Sequence, residues 1–262
     1  MIECVVCGLV ATYPRPVNEK LSLYYQSDDY ISHSGRSNNL INSLYIQARK
    51  VSLNWKIQLV KSLTEKGNLL DVGCGTGEFL HAMKNNGWAV EGVEPNKTAR
   101  QKAESLIGQP VSESIENSTS AAFDVITLWH VLEHLPDLNE SLKKISNLLK
   151  PTGTLIIAVP NHNSDDAKQY REYWAGYDVP RHLWHFGKKE MVLFLQNHGF
   201  RLFKIKPMKL DAYYVSLLSE KYKHTGKTTL MTLIKGFWNG LLSNRQAKKT
   251  GEYSSLIYIA KR

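Results

Sequence analysis

From residue 40 to residue 66 the apolar positions fall at helical spacing. Leu40, Leu44, Val51, Trp55, Leu59 and Leu63 trace one stripe, and Gly67 offers a stop. Residues 1–39 show no such period and read as an irregular N-terminal segment. After Gly67 the pattern alternates. Short apolar runs predict strands at Asn68–Val72, Trp88–Glu94, Phe123–Trp129, Thr154–Val159, Phe200–Lys206 and Tyr253–Ala260, with a weaker one near Pro110–Ser112. Segments of helical period lie between them at Gly77–Asn86, Lys97–Leu106, Leu138–Leu149 and Lys188–His198. Pro151-Thr152-Gly153 reads as a turn, 161–187 as a long loop without period, and 211–250 as a mostly helical insertion before the last strand. Strands alternating with helices predict a doubly wound α/β fold. Its sheet would have seven strands, mostly parallel, with helices on both faces.

The most informative stretch runs from Leu69 to Leu80. A buried strand passes into Asp71-Val72-Gly73-Cys74-Gly75-Thr76-Gly77 and opens a helix. Glycines let the chain turn sharply and bring backbone close to a ligand, and the helix start behind them offers free N–H groups. The second strand ends in an acid, Glu94, 19 residues beyond Gly75. At that spacing a carboxylate meets ribose hydroxyls. The order Gly-x-Gly-x-Gly differs from the dinucleotide pattern, which argues against a nicotinamide cofactor.

These residues resemble motif I of the class I S-adenosylmethionine-dependent methyltransferases, a Rossmann-like family. Phe123-Asp124-Val125-Ile126 through Trp129-His130-Val131-Leu132-Glu133-His134-Leu135 is similar to the family's fourth-strand motif. Leu148-Leu149-Lys150-Pro151-Thr152-Gly153-Thr154-Leu155 is similar to its helix–turn–fifth-strand motif. The resemblance implies an enzyme that binds S-adenosylmethionine. It places Asp71, Gly73, Cys74 and Gly75 in the loop around the methionine end, with Gly77 opening the helix. It puts Glu94 on the ribose, Pro95 and Asn96 beside the adenine, Ser114 and Ile115 on the adenine side, and Trp129 and His130 beside the methionine moiety.

Methyl transfer to a hydroxyl or amine needs a base near neutral pKa, a task suited to histidine. The segment Gly176–Phe186 follows the fifth strand and carries the candidates: His182 first, His185 second, with Arg181 to grip an anionic group. Its Pro-Arg-His-Leu resembles a subgroup with ubiquinone-biosynthesis-like and sugar-modifying members. The alternative is that Asp178, Arg181 and His182 only brace the loop.

Charge changes the picture at one end of the chain. The net charge is +9, and residues 201–262 hold 13 Lys and Arg against 3 Asp and Glu, which accounts for all of it. Within 211–250 an apolar cluster (Met231, Leu233, Ile234, Phe237, Trp238, Leu241, Leu242) is interspersed with Lys223, Lys227, Lys235, Arg245, Lys248 and Lys249. Such a stripe suits either an anionic membrane surface or a substrate cap packed on the domain with solvated charges.

Cys4-x-x-Cys7-Gly8 resembles the second knuckle of a zinc ribbon that precedes this subgroup. The first knuckle is missing and Cys74 belongs to the glycine loop, so no metal is expected. With three cysteines, no apolar run of membrane-spanning length and no secretory leader, the expected place is the cytoplasm. The expected acceptor is a small molecule methylated at oxygen, anionic in one reading, and a glycan or lipid-linked precursor is one such class. A nucleic-acid methyltransferase and a non-catalytic S-adenosylmethionine-binding protein are the alternatives. No Asn-Pro-Pro-Tyr-like sequence stands after the fourth strand to favour the former. The pattern gives no oligomeric state.

Overall fold

The buried runs become strands where they were expected. The computed structural model describes residues 1–25, 40–117, 123–224, 226 and 229–262. Its strands are β1 (Ile2–Glu3), β2 (Val10–Ala11), β3 (Asn68–Val72), β4 (Ala89–Val93), β5 (Phe123–Trp129), β6 (Leu149–Pro160), β7 (Trp184–His185), β8 (Arg201–Pro207) and β9 (Ser255–Lys261). The longer helices are α1 (Leu40–Lys61), α2 (Glu78–Asn85), α3 (Lys97–Ile107), α4 (Leu138–Leu148), α5 (Asp165–Tyr170), α6 (Lys188–Asn197), α7 (Asp211–Lys223) and α8 (Leu230–Thr250). The central sheet has the order β4-β3-β5-β6-β9-β8.

Contacts gather the chain into two units. The first holds Asn18–Trp129, Asn139–Ile156 and Lys261–Arg262. In it β3 pairs in parallel with β4 on one side and with β5 on the other, Asp71 standing opposite Gly92 and Thr127. Leu69, Leu70, Leu80, Met83, Val125 and Ile126 are all buried there. At about 1.5–3 kcal/mol for each large apolar side chain removed from water, they fix the register of the strands that carry the loop. Helix α1 buries Ile57, Leu59 and Val60 while Val51 is exposed, and it ends at Lys61, where the Ser62 hydroxyl bonds the Leu59 carbonyl at 2.7 Å.

The second unit holds Met1–Val17, His130–Leu138 and Ile157–Ala260. Its small sheet has the order β1-β2-β7, both pairs antiparallel. Helices α7 and α8 pack closely enough that a Cβ on Gly236 or Gly240 would stand 2.7 Å from the Cα of Leu217 or Tyr213.

Several expectations change in the structure. Among the described residues the central sheet has six strands where seven were expected. Near Pro110–Ser112 only one parallel bridge forms, Val93 to Ser112, because Pro110 brings no N–H and just the two bonds about Ser112 close. The N-terminal segment is not irregular throughout, since β1 and β2 form a hairpin around Cys4 and Cys7; residues 26–39 lie outside the described residues. The long loop 161–187 carries α5, two short 3₁₀ turns and β7. Its organiser is the buried carboxylate of Asp166, which accepts bonds from Trp174 Nε1 (2.9 Å), the Ser243 hydroxyl (2.8 Å) and the Ser254 hydroxyl (2.7 Å). The expected turn at Pro151-Thr152-Gly153 lies within β6, with Pro151 and Thr152 exposed and Gly153 so near Leu149 that a Cβ would sit 2.5 Å from its Cγ.

Candidate cofactor and histidine sites

The glycine loop follows β3 and leads into α2. Gly73, Gly75 and Gly77 all have positive φ, at 71°, 55° and 81°. The N–H groups of Gly73 and Cys74 bond the Val93 carbonyl at 2.7 and 3.0 Å, which holds the loop against the end of β4. Gly77 is needed for packing, because a Cβ there would stand 2.9 Å from the Cα of Ala103 on α3. Gly75 is different. A Cβ on it would meet nothing within 4 Å, so its bareness serves no contact within the protein.

Glu94, at the end of β4, is buried, and its carboxylate turns back on the loop. Oε2 accepts the Gly75 N–H at 2.8 Å and Oε1 accepts the Asn96 N–H at 2.8 Å. Burial raises its pKa against the pull of those N–H groups. Each oxygen has a further lone pair, so the carboxylate can still accept two hydroxyls. Asn96 caps α3, its side chain accepting the Ala99 N–H at 3.0 Å, and Pro95 is exposed beside it. The Glu94 N–H bonds the Ser112 carbonyl at 2.8 Å. Ser114 and Ile115 follow, both half-buried, with the Ser114 hydroxyl accepting the Glu116 N–H at 3.2 Å.

Asp71 is buried, and its carboxyl is pushed up to about 7 by desolvation, opposed by a 2.6 Å bond from the Thr127 hydroxyl. Cys74 is buried too, and burial raises its thiol far above the ordinary range. Trp129 ends β5 with its ring edge-on to Phe79 at 5.6 Å and Lys56 Nζ 4.6 Å above it. Its indole N–H is buried and has no hydrogen-bond partner among the described residues. An orphaned donor, open space over Gly75 and unused lone pairs on Glu94 are features that an adenosyl ligand fits.

The histidines belong to the other unit. His130 has a left-handed backbone, φ 58°, and its Nε2 stands 2.9 Å from Asp211 Oδ2. Its Nδ1 lies 3.4 Å from Glu133 Oε1, and against a desolvation penalty these carboxylates push the imidazole up to about 10. The ring is thus an imidazolium held by two acids.

His182 is buried, and its Nδ1 bonds the Gly176 carbonyl at 2.9 Å. A carbonyl only accepts, so Nδ1 carries the proton and Nε2 keeps a lone pair. His134 repeats the arrangement, Nδ1 bonding the Arg181 carbonyl at 3.1 Å, with its ring 4.5 Å from that of His182. Burial lowers both imidazoles, that of His134 to about 4. The carboxylate of Glu133 is buried beside them and is held below its usual range, against desolvation, by His130 and the other surrounding imidazoles. One donor atom from each of Glu133, His134 and His182 lies within 4.8 Å of the others, a cluster able to take up a proton or a cation.

His185 is tied to the small sheet. The Thr12 hydroxyl gives its proton to the His182 carbonyl at 2.7 Å, so it accepts at 3.0 Å from His185 Nε2. That nitrogen is therefore already spent, and burial lowers the ring to about 3. Arg181 pairs with Asp178 at 2.7 Å. The Cys4 thiol is exposed and is held below its ordinary range by the backbone N–H groups of Cys7 and Val6.

A family model described as "Methyltransferase domain" matches residues 47–205. The chain belongs to that family. A ubiquinone biosynthesis O-methyltransferase from Aeromonas salmonicida is 32% identical to this chain over 126 residues, which are 45% of this chain and 52% of the relative. The chain thus spans about half the length of the curated relatives it matches. Among solved structures, mycolic acid cyclopropane synthase complexed with SAH and CTAB aligns over 96% of this chain and 100% of its own, with 14% identity and a TM-score of 0.61. A phosphoethanolamine N-methyltransferase from Haemonchus contortus, in complex with phosphomonomethylethanolamine and S-adenosylhomocysteine, covers 94% of this chain and 61% of that one, with 14% identity and a TM-score of 0.60. These likenesses establish the Rossmann-like fold.

Two cations of the methyltransferase escape sequence reasoning. Lys56 sits inside an ordinary helical stripe, and only the fold brings it over Trp129. Arg49, two turns earlier on the same side of the helix, reaches Glu78 on α2 at 2.8 Å. Glu133 lies within the fourth-strand motif, and nothing in the sequence pairs it with His182.

Proposed function

We propose that this methyltransferase transfers the methyl group of S-adenosylmethionine to an oxygen of a small-molecule acceptor. The observation that carries the reading is the bond between the Gly75 N–H and the Glu94 carboxylate, under a space no protein atom fills. When bound, S-adenosylmethionine supplies an electrophilic methyl on a sulfonium, so the protein's share is holding, orienting and removing one proton.

Glu94 holds the ribose hydroxyls, Asp71 and the glycine loop hold the methionine end, and Trp129 offers its indole N–H there. The residues flanking Glu94, from Pro95 and Asn96 on one side to Ser114 and Ile115 on the other, border the adenine. His182 is the base. Its Nε2 accepts the acceptor's hydroxyl proton, and the resulting imidazolium is stabilised by the buried carboxylate of Glu133, which it shares with His130, and by Asp178 Oδ2 at 3.7 Å. Burial keeps His182 neutral and ready to accept. Oxygen is favoured as the atom methylated because the relatives that match carry O-methyltransferase names.

We read residues 40–262 as one methyltransferase domain, with 211–250 as its cap. The acceptor is a glycan or lipid-linked precursor with an anionic group, met in the cytoplasm. A screen of candidate acceptors with labelled methyl donor, the added mass located by mass spectrometry, tests this. Label on a nitrogen or carbon, or on RNA, would contradict it.

A further inference from the structure

Helix α8 is built inside out. The residues it buries are small or polar: Thr232, Gly236, Gly240, Ser243, Asn244 and Ala247. They suit a close approach to α7, and two of them bond to neighbouring segments. The Ser243 hydroxyl bonds Asp166 at 2.8 Å, and the Asn244 amide bonds the Lys209 carbonyl at 2.8 Å. The opposite face is apolar and exposed. Met231 is 61% exposed, Ile234 56%, Phe237 59% and Trp238 58%, with Leu230, Leu241 and Leu242 beside them. At 3.6 residues per turn these positions share one side of the helix. A water-facing helix ordinarily has the reverse arrangement, and an apolar patch of this kind marks a surface that meets another apolar phase.

Charge identifies that phase. Lys235 borders the exposed face, and Arg245, Lys248 and Lys249 extend it along the last turns, all of them exposed. The three carboxylates of residues 201–262 are occupied elsewhere. Asp211 pairs with His130, Glu220 bonds Tyr170 and Asn239, and Glu252 bonds Asn161 and Lys188. The face is therefore apolar along its first turns and cationic along its last. A second copy of the chain would bring the same cations, and a neutral partner would leave them uncompensated. No described helix is long and apolar enough to cross a membrane.

We propose that α8 lies in the plane of an anionic lipid surface, with Met231, Ile234, Phe237 and Trp238 among the acyl chains. Lys235, Arg245, Lys248 and Lys249 meet the headgroups. The face is built entirely by α8, and the proposal does not depend on methyl transfer.

The test is co-sedimentation of the full chain with vesicles of phosphatidylcholine alone or containing phosphatidylglycerol. Binding is expected only with the anionic lipid, weakened at high salt. Lys235→Ala with Arg245→Ala should lower partitioning by about five-fold per cation removed. Ile234→Ser with Trp238→Ser should abolish it, and both pairs should leave S-adenosylmethionine binding unchanged in calorimetry, because these side chains point away from the packed face. Equal binding to both vesicles, or binding unaltered by the serine pair, would overturn the proposal. So would a dimer in sedimentation velocity that the serine pair dissociates, which would give the face to a second copy. A failure here with intact cofactor binding would leave the methyl-transfer reading standing.

Discussion

The carboxylate of Glu94 accepts the backbone N–H of Gly75 at 2.8 Å, across 19 residues of chain. A loop without side chains and an acid on the neighbouring strand are thus one structural object. The bond fixes the loop before any ligand arrives, and the acid keeps lone pairs for one. Preorganisation of this kind reduces the ordering cost of binding.

Gly75 and Gly77 should respond differently to alanine. Both have positive φ, so each replacement strains the backbone by about 1–2 kcal/mol. Gly77→Ala also drives a methyl into Ala103, and overpacking adds about 1–3 kcal/mol, so its main effect is a lower melting temperature. Gly75→Ala meets no protein atom. It should keep most of its thermal stability and lose cofactor affinity, on the order of ten-fold or more if the methyl occupies ligand space. Thermal melts and calorimetry on both variants check this. Equal affinity losses would contradict it.

On the proposed reading, Asp71 is expected to make cofactor binding depend on pH. Its carboxyl stands at about 7 because burial disfavours the charged form. A carboxyl raised above its unfolded value makes the native state bind more protons, so stability falls as pH rises from the unfolded value through about 7. A bound ammonium favours the carboxylate, so binding below about 7 must first release a proton. Affinity is expected to rise with pH up to about 7 and then level off. Asp71→Asn should flatten the profile, weaken binding and raise the melting temperature of the free protein at pH 8. Calorimetry in buffers of different ionisation enthalpy reads the proton directly, and an identical apparent enthalpy in all of them would refute the linkage.

His130 gives the opposite dependence. Its imidazole is raised to about 10 by Asp211 and Glu133. For a raised base the stabilisation is complete below the unfolded value near 6.5, falls above it, and is gone once pH passes about 10. His130→Gln should lower stability by about 1.5–3 kcal/mol at pH 6, the scale of a hydrogen bond between charged groups. The difference from wild type should vanish above about 10. Denaturant titrations across that window decide it, and a difference that does not depend on pH would remove the ion pair from the account.

His182 and His185 should separate by kinetics. His182→Ala is expected to lower turnover about 10²–10⁴-fold while sparing cofactor affinity. His185→Ala removes a bond to Thr12 within the small sheet, so it should lower the melting temperature and reduce turnover far less. Wild-type turnover in the His182 variant would reassign the base.

Much of this was legible in the sequence because period and punctuation are local. The runs ending at Val72, Val93 and Trp129 are strands whose residues are buried by neighbours of the same kind, so the pattern and the packing agree. Glu94 was readable from spacing alone. The segment 161–187 was not, because its order comes from Asp166 meeting Ser243 and Ser254, 77 and 88 residues away. The role of Glu133 was hidden for the same reason, since His182 approaches it only through the fold. The apolar cluster of α8 was visible, but its exposure was not. Periodicity shows which residues share a face, and only Gly236 and Gly240 against α7 reveal which face is buried.

The most direct measurement is a calorimetric titration of S-adenosylmethionine into the wild-type chain and into Glu94→Ala. The wild type should bind at one site, and the variant should bind more weakly by about 1–3 kcal/mol, the scale of lost hydrogen bonds to a charged group. Undetectable binding to the wild type, or equal affinity in the two proteins, would contradict the pairing of glycine loop and carboxylate as the cofactor's seat.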